Sequence, residues 1–368
     1  MAQKRKNRKK RVFILIIALF FTTVLFATSS YAWFTANKTV KVERISVNVE
    51  AKNGIQISVD ALNWKSLIQK NDIVNATTTY ANAVNQIPPK MEPVSTVGTL
   101  DNTGKMEMYY GTVNDDEATG NYYLTADKTT EVATTSAQLT AGTGEGKFVA
   151  FDLFFKVNAT TPLQLRPGSG VTAANNDDTG IKNAARIAFV ILGRGDNNVA
   201  YTSLQGLGSY TSGTDTREVK IWEPNYDVHK GPAITHALST YKLTIPETAG
   251  SQVKYYGLKA EIPTTTNPKV FLQTDMRNLN GQLPANTDPI PDDYKSQYGD
   301  YFGDVTCVYK TAAAFSGGSD NYDIFTLTAG VTKVRIYMWI EGQDVDCEND
   351  ASGGDINFDL DITVKQTS

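Results

Sequence analysis

Histidine and cysteine are scarce, with two of each in 368 residues. His229 and His236 stand seven apart in a stretch that carries Pro and Gly, without i, i+4 spacing or a His-Glu-x-x-His run. A zinc-protease helix is therefore not expected, nor a Cys–His nucleophilic pair. No Gly-x-Ser-x-Gly elbow, P-loop or dinucleotide glycine pattern stands in a strand-to-helix context, so the expected protein is not an enzyme. Cys307 and Cys347 are too few for a disulfide framework, and the fold must rely on a buried core. One Cys307–Cys347 bridge, closing a loop of ~40 residues, would contribute ~2–4 kcal/mol; two independent thiols are the alternative.

Basic charge is clustered nowhere beyond residue 11. Without the basic block of 1–11, 28 Lys and Arg face 39 Asp and Glu, about −11 for the remainder. That balance argues against a nucleic-acid partner, which needs clustered Lys and Arg to meet phosphate. It suits an extracellular surface. Helical periodicity of any length is also missing after the first 37 residues.

Those first residues are the strongest signal present. The block Lys4-Arg5-Lys6-Asn7-Arg8-Lys9-Lys10-Arg11 runs into Val12–Phe21, and the apolar stretch then relaxes into Ala27-Thr28-Ser29-Ser30-Tyr31-Ala32-Trp33. A positive start, an apolar middle and small residues at a cut site are the parts of a secretory signal. Cleavage between Ala32 and Trp33 would place Ser30 and Ala32 where a signal peptidase requires small side chains. The competing reading is an uncleaved anchor from Val12 to Phe34, since a bilayer span needs ~20 residues. In both cases the basic end stays inside and the rest of the chain is exported. The membrane is then a partner through this segment, and a signal peptidase during export.

The remainder reads as strands. Val40, Val42, Ile45, Val47 and Val49 are interleaved with polar residues, and Asn53-Gly54 before Ile55-Gln56-Ile57 predicts a hairpin. Lys147–Val157 and Val331–Ile340 are further strands, the second placing Val334, Ile336, Met338 and Ile340 on one face. Asn183–Leu192 is apolar enough for a strand buried on both faces. Ile356–Val364 alternates throughout, with one wet and one core face. Many short strands with long loops predict an all-β, antiparallel, jelly-roll-like β-sandwich. Its expected organisation is a leader over 1–32 and one large domain over 33–368, with insertions at about 61–145 and 262–325; two β domains are the alternative.

One loop is strongly acidic. Glu341, Asp344, Asp346, Glu348, Asp350 and Asp355 lie close together near Gly353-Gly354. Hard oxygen ligands at close spacing can hold calcium, although the spacing matches no EF-hand; a solvated turn is the plainer reading. No other cofactor is expected.

At Tyr31-Ala32-Trp33-Phe34-Thr35 the chain resembles Gram-positive exported proteins processed by a SipW-type signal peptidase, the TasA/camelysin group. Ala32, Trp33 and Phe34 match, followed by the alternating run Val40–Val49. The run Trp339–Cys347 also looks like a segment of exported clostridial proteins with the same kind of leader. The resemblance implies a secreted jelly-roll sandwich that builds extracellular or biofilm-matrix fibres. In such fibres an N-terminal strand freed by cleavage completes the next subunit's sheet, which makes Val40, Val42, Ile45, Val47 and Val49 the candidate donor strand. The long loops of this chain depart from that group. Self-association or binding to other surface and matrix proteins is the expectation, and a membrane-anchored adhesin or carbohydrate-binding surface protein is the alternative.

Overall fold

The computed structural model describes residues 39–51, 54–118, 121–175, 178–208, 217–226, 228–235, 256–267, 269–270, 299–305, 307–309, 321–348, 351 and 353–365. The leader with Ser30, Ala32 and Trp33 lies outside them, as do His236 and Asp350. No helix among the described residues is long and apolar enough to cross a membrane.

The chain is all-β with few and short helices. In order its strands are β1 (Val40–Val49), β2 (Gln56–Ser58), β3 (Leu67–Gln69), β4 (Asn85–Gln86), β5 (Lys90–Met91), β6 (Met108–Asp116), β7 (Asn121–Thr129), β8 (Val149–Val157) and β9 (Thr161–Leu165). There follow β10 (Gly170–Ala173), β11 (Ala185–Gly195), β12 (Val219–Glu223), β13 (Tyr256–Leu258), β14 (Phe302–Asp304), β15 (Cys307–Tyr309), β16 (Tyr322–Leu327), β17 (Gly330–Ile340) and β18 (Asp355–Val364). A first seven-stranded sheet runs β16-β9-β18-β1-β3, with β10 also on β18 and β5 also on β1. A second runs β15-β12-β11-β17-β8-β2, with β4 also on β8. One core joins the inner faces of both, from Val47, Ile68, Phe358 and Ile362 to Phe151, Phe189, Val334 and Ile336.

The pairing corrects two expectations. The sheets are not purely antiparallel: β1 runs parallel to β18, and β12 parallel to β15. Nor do the strands flanking Asn53-Gly54 form a hairpin, for β1 belongs to the first sheet while β2 pairs with β8 in the second. The reason is burial. Ile55 and Ile57 are fully buried once the chain crosses between sheets, whereas a two-residue hairpin would keep both runs in one sheet. Gly54 still turns the chain at φ 79°, its N–H donating to the Ala51 carbonyl at 2.9 Å.

A phase slip in β1 has a matching irregularity. Val40 and Val42 are two apart, but the next apolar residue is Ile45. The β1–β18 register shifts between Val42 and Arg44. A β-bulge inserts one extra residue, so all five apolar side chains stay inward, each at most 3% exposed.

The second sheet is covered on its outer face as well. Val94, Met106 and Met108, from the 61–145 insertion, pack with Phe148, Ala188, Val190, Ile221, Tyr337 and Trp339. This third layer explains why β11 and β17 are buried on both faces, as the apolar run Asn183–Leu192 predicts for β11. Beyond it a smaller core groups Tyr109 and Leu124 of the β6–β7 hairpin with Leu258, Ile262, Val270 and Phe302.

Candidate functional site

Inward alternation of β17 puts Val334, Ile336, Met338 and Ile340 in the main core, which leaves Lys333, Arg335, Tyr337 and Trp339 facing the third layer. The chain then turns into the acidic loop. It does not reach solvent: Glu341, Gln343, Asp344, Asp346, Cys347 and Glu348 are each at most 5% exposed. The solvated turn is therefore overturned. Ionised carboxylates buried without partners would be very costly, and the loop supplies partners at close range.

Arg186 of β11 is the central cation, itself fully buried. Its Nη2 reaches Glu223 Oε1 at 2.6 Å and also pairs with Asp344. Its Nη1 donates to the Asn183 and Ala185 carbonyls at 3.1 and 3.0 Å. His229 Nδ1 lies 2.6 Å from Asp346 Oδ2. Trp339 donates its indole N–H to Glu341 at 3.1 Å, and the Gln343 N–H donates to the same carboxyl at 3.1 Å.

Carboxyls outnumber cations here, and the titration follows. Burial raises Glu223 to about 8, against the pull of Arg186 and with Asp344 adding to the rise. Burial raises Glu341 to about 7 despite its hydrogen bonds. Asp346 rises to about 6, again through burial, although His229 opposes it. Of the expected calcium set, Glu341, Asp344, Asp346 and Glu348 are described and Asp350 is not; no three His, Cys, Asp or Glu side chains among the described residues are arranged to hold a metal ion. The oxygens instead meet Arg186, His229, an indole and backbone amides. Cys347 is a free and fully buried thiol, so the expected bridge to Cys307 is not formed. Burial and the surrounding carboxylates push that thiol well up.

A second ionic cluster lies further along the same sheet face. Arg335 clasps Asp152 of β8 with Nε at 2.8 Å and Nη2 at 3.3 Å. Lys333 Nζ donates to the Tyr80 hydroxyl at 2.7 Å and to the Gln205 and Leu207 carbonyls at 2.8 Å, with Asp152 3.6 Å away. Burial alone would raise the Asp152 carboxyl, but the Arg335 and Lys333 charges hold it below its usual range.

One polar pocket opens at the surface, about 240 Å³ in volume and lined among others by Asp60, Asn63, Lys65, Asp72, Asn75 and Thr79. Beside it Ala61 has φ 57°, a left-handed conformation rare outside glycine. Asp60 holds the turn, accepting from the Ser58 hydroxyl at 2.8 Å, the Leu62 and Asn63 amides at 3.0 and 2.8 Å, and Thr79 at 2.7 Å. Burial works to raise its carboxyl, yet these bonds hold it down at about 2.

Arg186, Glu223, Asp152 and Lys333 escape a reading of the sequence for motifs. Their signal is a lone charge within an apolar strand, as in Ala184-Ala185-Arg186-Ile187-Ala188 and Phe151-Asp152-Leu153. Comparisons with protein-family models, curated proteins and solved structures find no match to this chain.

Proposed function

We propose that the protein is an exported, non-enzymatic structural protein of the cell surface, a subunit or accessory of an extracellular fibre or matrix that assembles by donation of its N-terminal strand. The observation that carries this reading is the position of β1. It is the first strand among the described residues and the direct neighbour of the last one, β18. Among the described residues its other edge pairs with the short strands β3, at Ser46–Asn48, and β5, at Val40 and Lys41, and the Lys70 ammonium donates to the Val42 carbonyl between them. Five buried apolar side chains at ~1.5–3 kcal/mol each make the groove it fills a strong binding site. A second copy's β1 offers the same side chains, so exchange between copies costs little beyond the change in the connecting segment. Exchange in one direction around a chain of subunits is head-to-tail and yields open fibres. A jelly-roll arrangement of the two sheets fits the same reading.

Asn48 and Asp361 are paired across β1 and β18. In a chain starting at Trp33, an Asn48→Cys, Asp361→Cys double variant should give a ladder of disulfide-linked oligomers at high concentration, with fibres in negative stain. Internal bridges alone and no fibres, with and without calcium, would sink the reading.

The polar pocket favours a second one, a glycan-binding adhesin. Amide, hydroxyl, carboxylate and ammonium groups converge there in the manner that fixes a hydroxylated ligand in a concave site. Polysaccharide retention lost in Asn75→Ala, with fibre formation unaffected, would select this alternative.

A further inference from the structure

We propose that loop 341–348 is a pH-released latch that closes over Cys347 when Glu341, Asp346 and the facing Glu223 carry protons and opens as these three ionise. The latch is built from four elements. β11 contributes Arg186, β12 contributes Glu223, and the segment after β12 contributes His229 and Lys230. The loop itself brings Glu341, Asp344, Asp346 and Glu348. Among the described residues four of these carboxyls, Glu223, Glu341, Asp344 and Asp346, thus meet two buried basic side chains, and Lys230 is 40% exposed and divides its charge with Asp178 at 3.1 Å.

Full ionisation would leave excess negative charge in a region almost closed to water. Protons are the cheapest compensation, and burial places Glu223 and Glu341 in the range where they are held at neutral pH. Glu223 Oε2 has no hydrogen-bond partner among the described residues, which leaves it able to carry one. As pH rises, like charges gather on both sides of the loop. Backbone bonds tie only the start of the loop to the body among the described residues, from Glu341 N–H to the Ala184 carbonyl at 2.8 Å and from Gly342 N–H to the Val94 carbonyl at 3.0 Å, whereas those at Asp344 and Cys347 close turns within the loop itself. Opening is therefore local, and it uncovers a thiol that is otherwise fully buried.

Cys347 reports the event directly. In a Cys307→Ser chain it is the single thiol, and its labelling by a small disulfide reagent can be followed from pH 6 to pH 9. Rates are corrected for thiolate content with the same chain in denaturant. Protection should fall by about tenfold or more between the two ends, since one unit of raised pKa is a tenfold change in population. Near-ultraviolet circular dichroism should be retained throughout. Glu223→Gln, which mimics the protonated side chain, should flatten the dependence. Equal protection at pH 6 and pH 9, or exposure that appears only with global unfolding, would overturn the latch. If Cys307→Ser does not fold, peptide-resolved labelling of Cys347 in the natural chain gives the same two outcomes.

Discussion

Two buried ionic clusters occupy the outer face of one sheet, and their charge balance differs. Around Asp152 the two carboxylates Asp152 and Glu131 meet three cations, Arg335, Lys333 and Lys105, with Glu131 3.9 Å from Arg335 and 2.9 Å from Lys105 while it accepts from the Tyr337 hydroxyl at 2.7 Å. Around Arg186 the carboxyls are in excess. The first holds its carboxyl ionised, while the second holds carboxyls protonated into the neutral range. Burial is similar in both, so the number of partner charges decides which cluster responds to pH. One serves as a fixed tie between β8 and β17, and the other is a titratable one.

The sharpest way to break this contrast is to remove one charge from each. Asp152→Ala leaves Arg335 and Lys333 buried without their carboxylate and should cost ~3–5 kcal/mol in urea unfolding across the neutral range. Arg186→Ala should cost a similar amount at pH 9 but clearly less at pH 5, where Glu223 and Glu341 are neutral; equal losses at both pH values would end the distinction. The layer packed on the outer face of the second sheet is open to a separate test. A Cβ at Gly257 would overlap the Thr96 carbonyl, so Gly257→Ala should destabilise by ~1–3 kcal/mol through overpacking of the third layer.

The pH dependence of the unaltered chain comes next in size. Glu223, Glu341 and Asp346 have folded values of about 8, 7 and 6, above the usual 4.5, 4.5 and 3.8. A carboxyl raised on folding contributes stability that is complete below its unfolded value and lost as pH climbs through its folded value. Denaturant midpoints should therefore decline from about pH 4 to pH 8. Asp152 and Asp60 act in the opposite sense, because both are depressed on folding. Their contribution is present above pH 3.8 and disappears as pH falls, for Asp60 towards pH 2. The smallest expected effect is Glu223→Gln: little change near pH 5, a shallower decline above it, and a chain more stable than the parent at pH 9.

What the sequence reveals depends on how far apart the interacting parts lie. Strand β18 is legible because one wet face and one core face write a period of two into Ile356, Phe358, Leu360 and Ile362. The inner face of β17 is legible for the same reason. Its outer face reads as solvated, since Lys333 and Arg335 look like surface charges until Tyr80 and Glu131 of the 61–145 insertion and the Gln205 and Leu207 carbonyls close around them. The parallel β1–β18 pair joins residues more than 300 positions apart, and local patterning carries no trace of that. Gly54 is the converse case, a residue that turns the chain as a glycine can while the strands on either side of it take different sheets. In the acidic loop, residue types drew attention to the right place but gave no sign of its burial. The deciding partner, Arg186, is one charge inside an apolar strand.

The parallel union of β1 and β18 has a mechanical consequence. The described chain enters β1 at Val40, beside the start of β18, and leaves β18 at Val364, beside the end of β1. Tension drawing those two points apart pulls the strands lengthwise in opposite directions. The load then falls on the whole ladder from Lys41–Asp355 to Val49–Ile362 at once, instead of unzipping one rung after another as in a hairpin pulled from its open end. Rupture of such a shear clamp is set by the unfolding barrier and not by equilibrium stability. A chain stretched between two anchors would therefore hold at its N- and C-terminal strands, and the titratable loop leading into β18 would sit directly beside the element under strain.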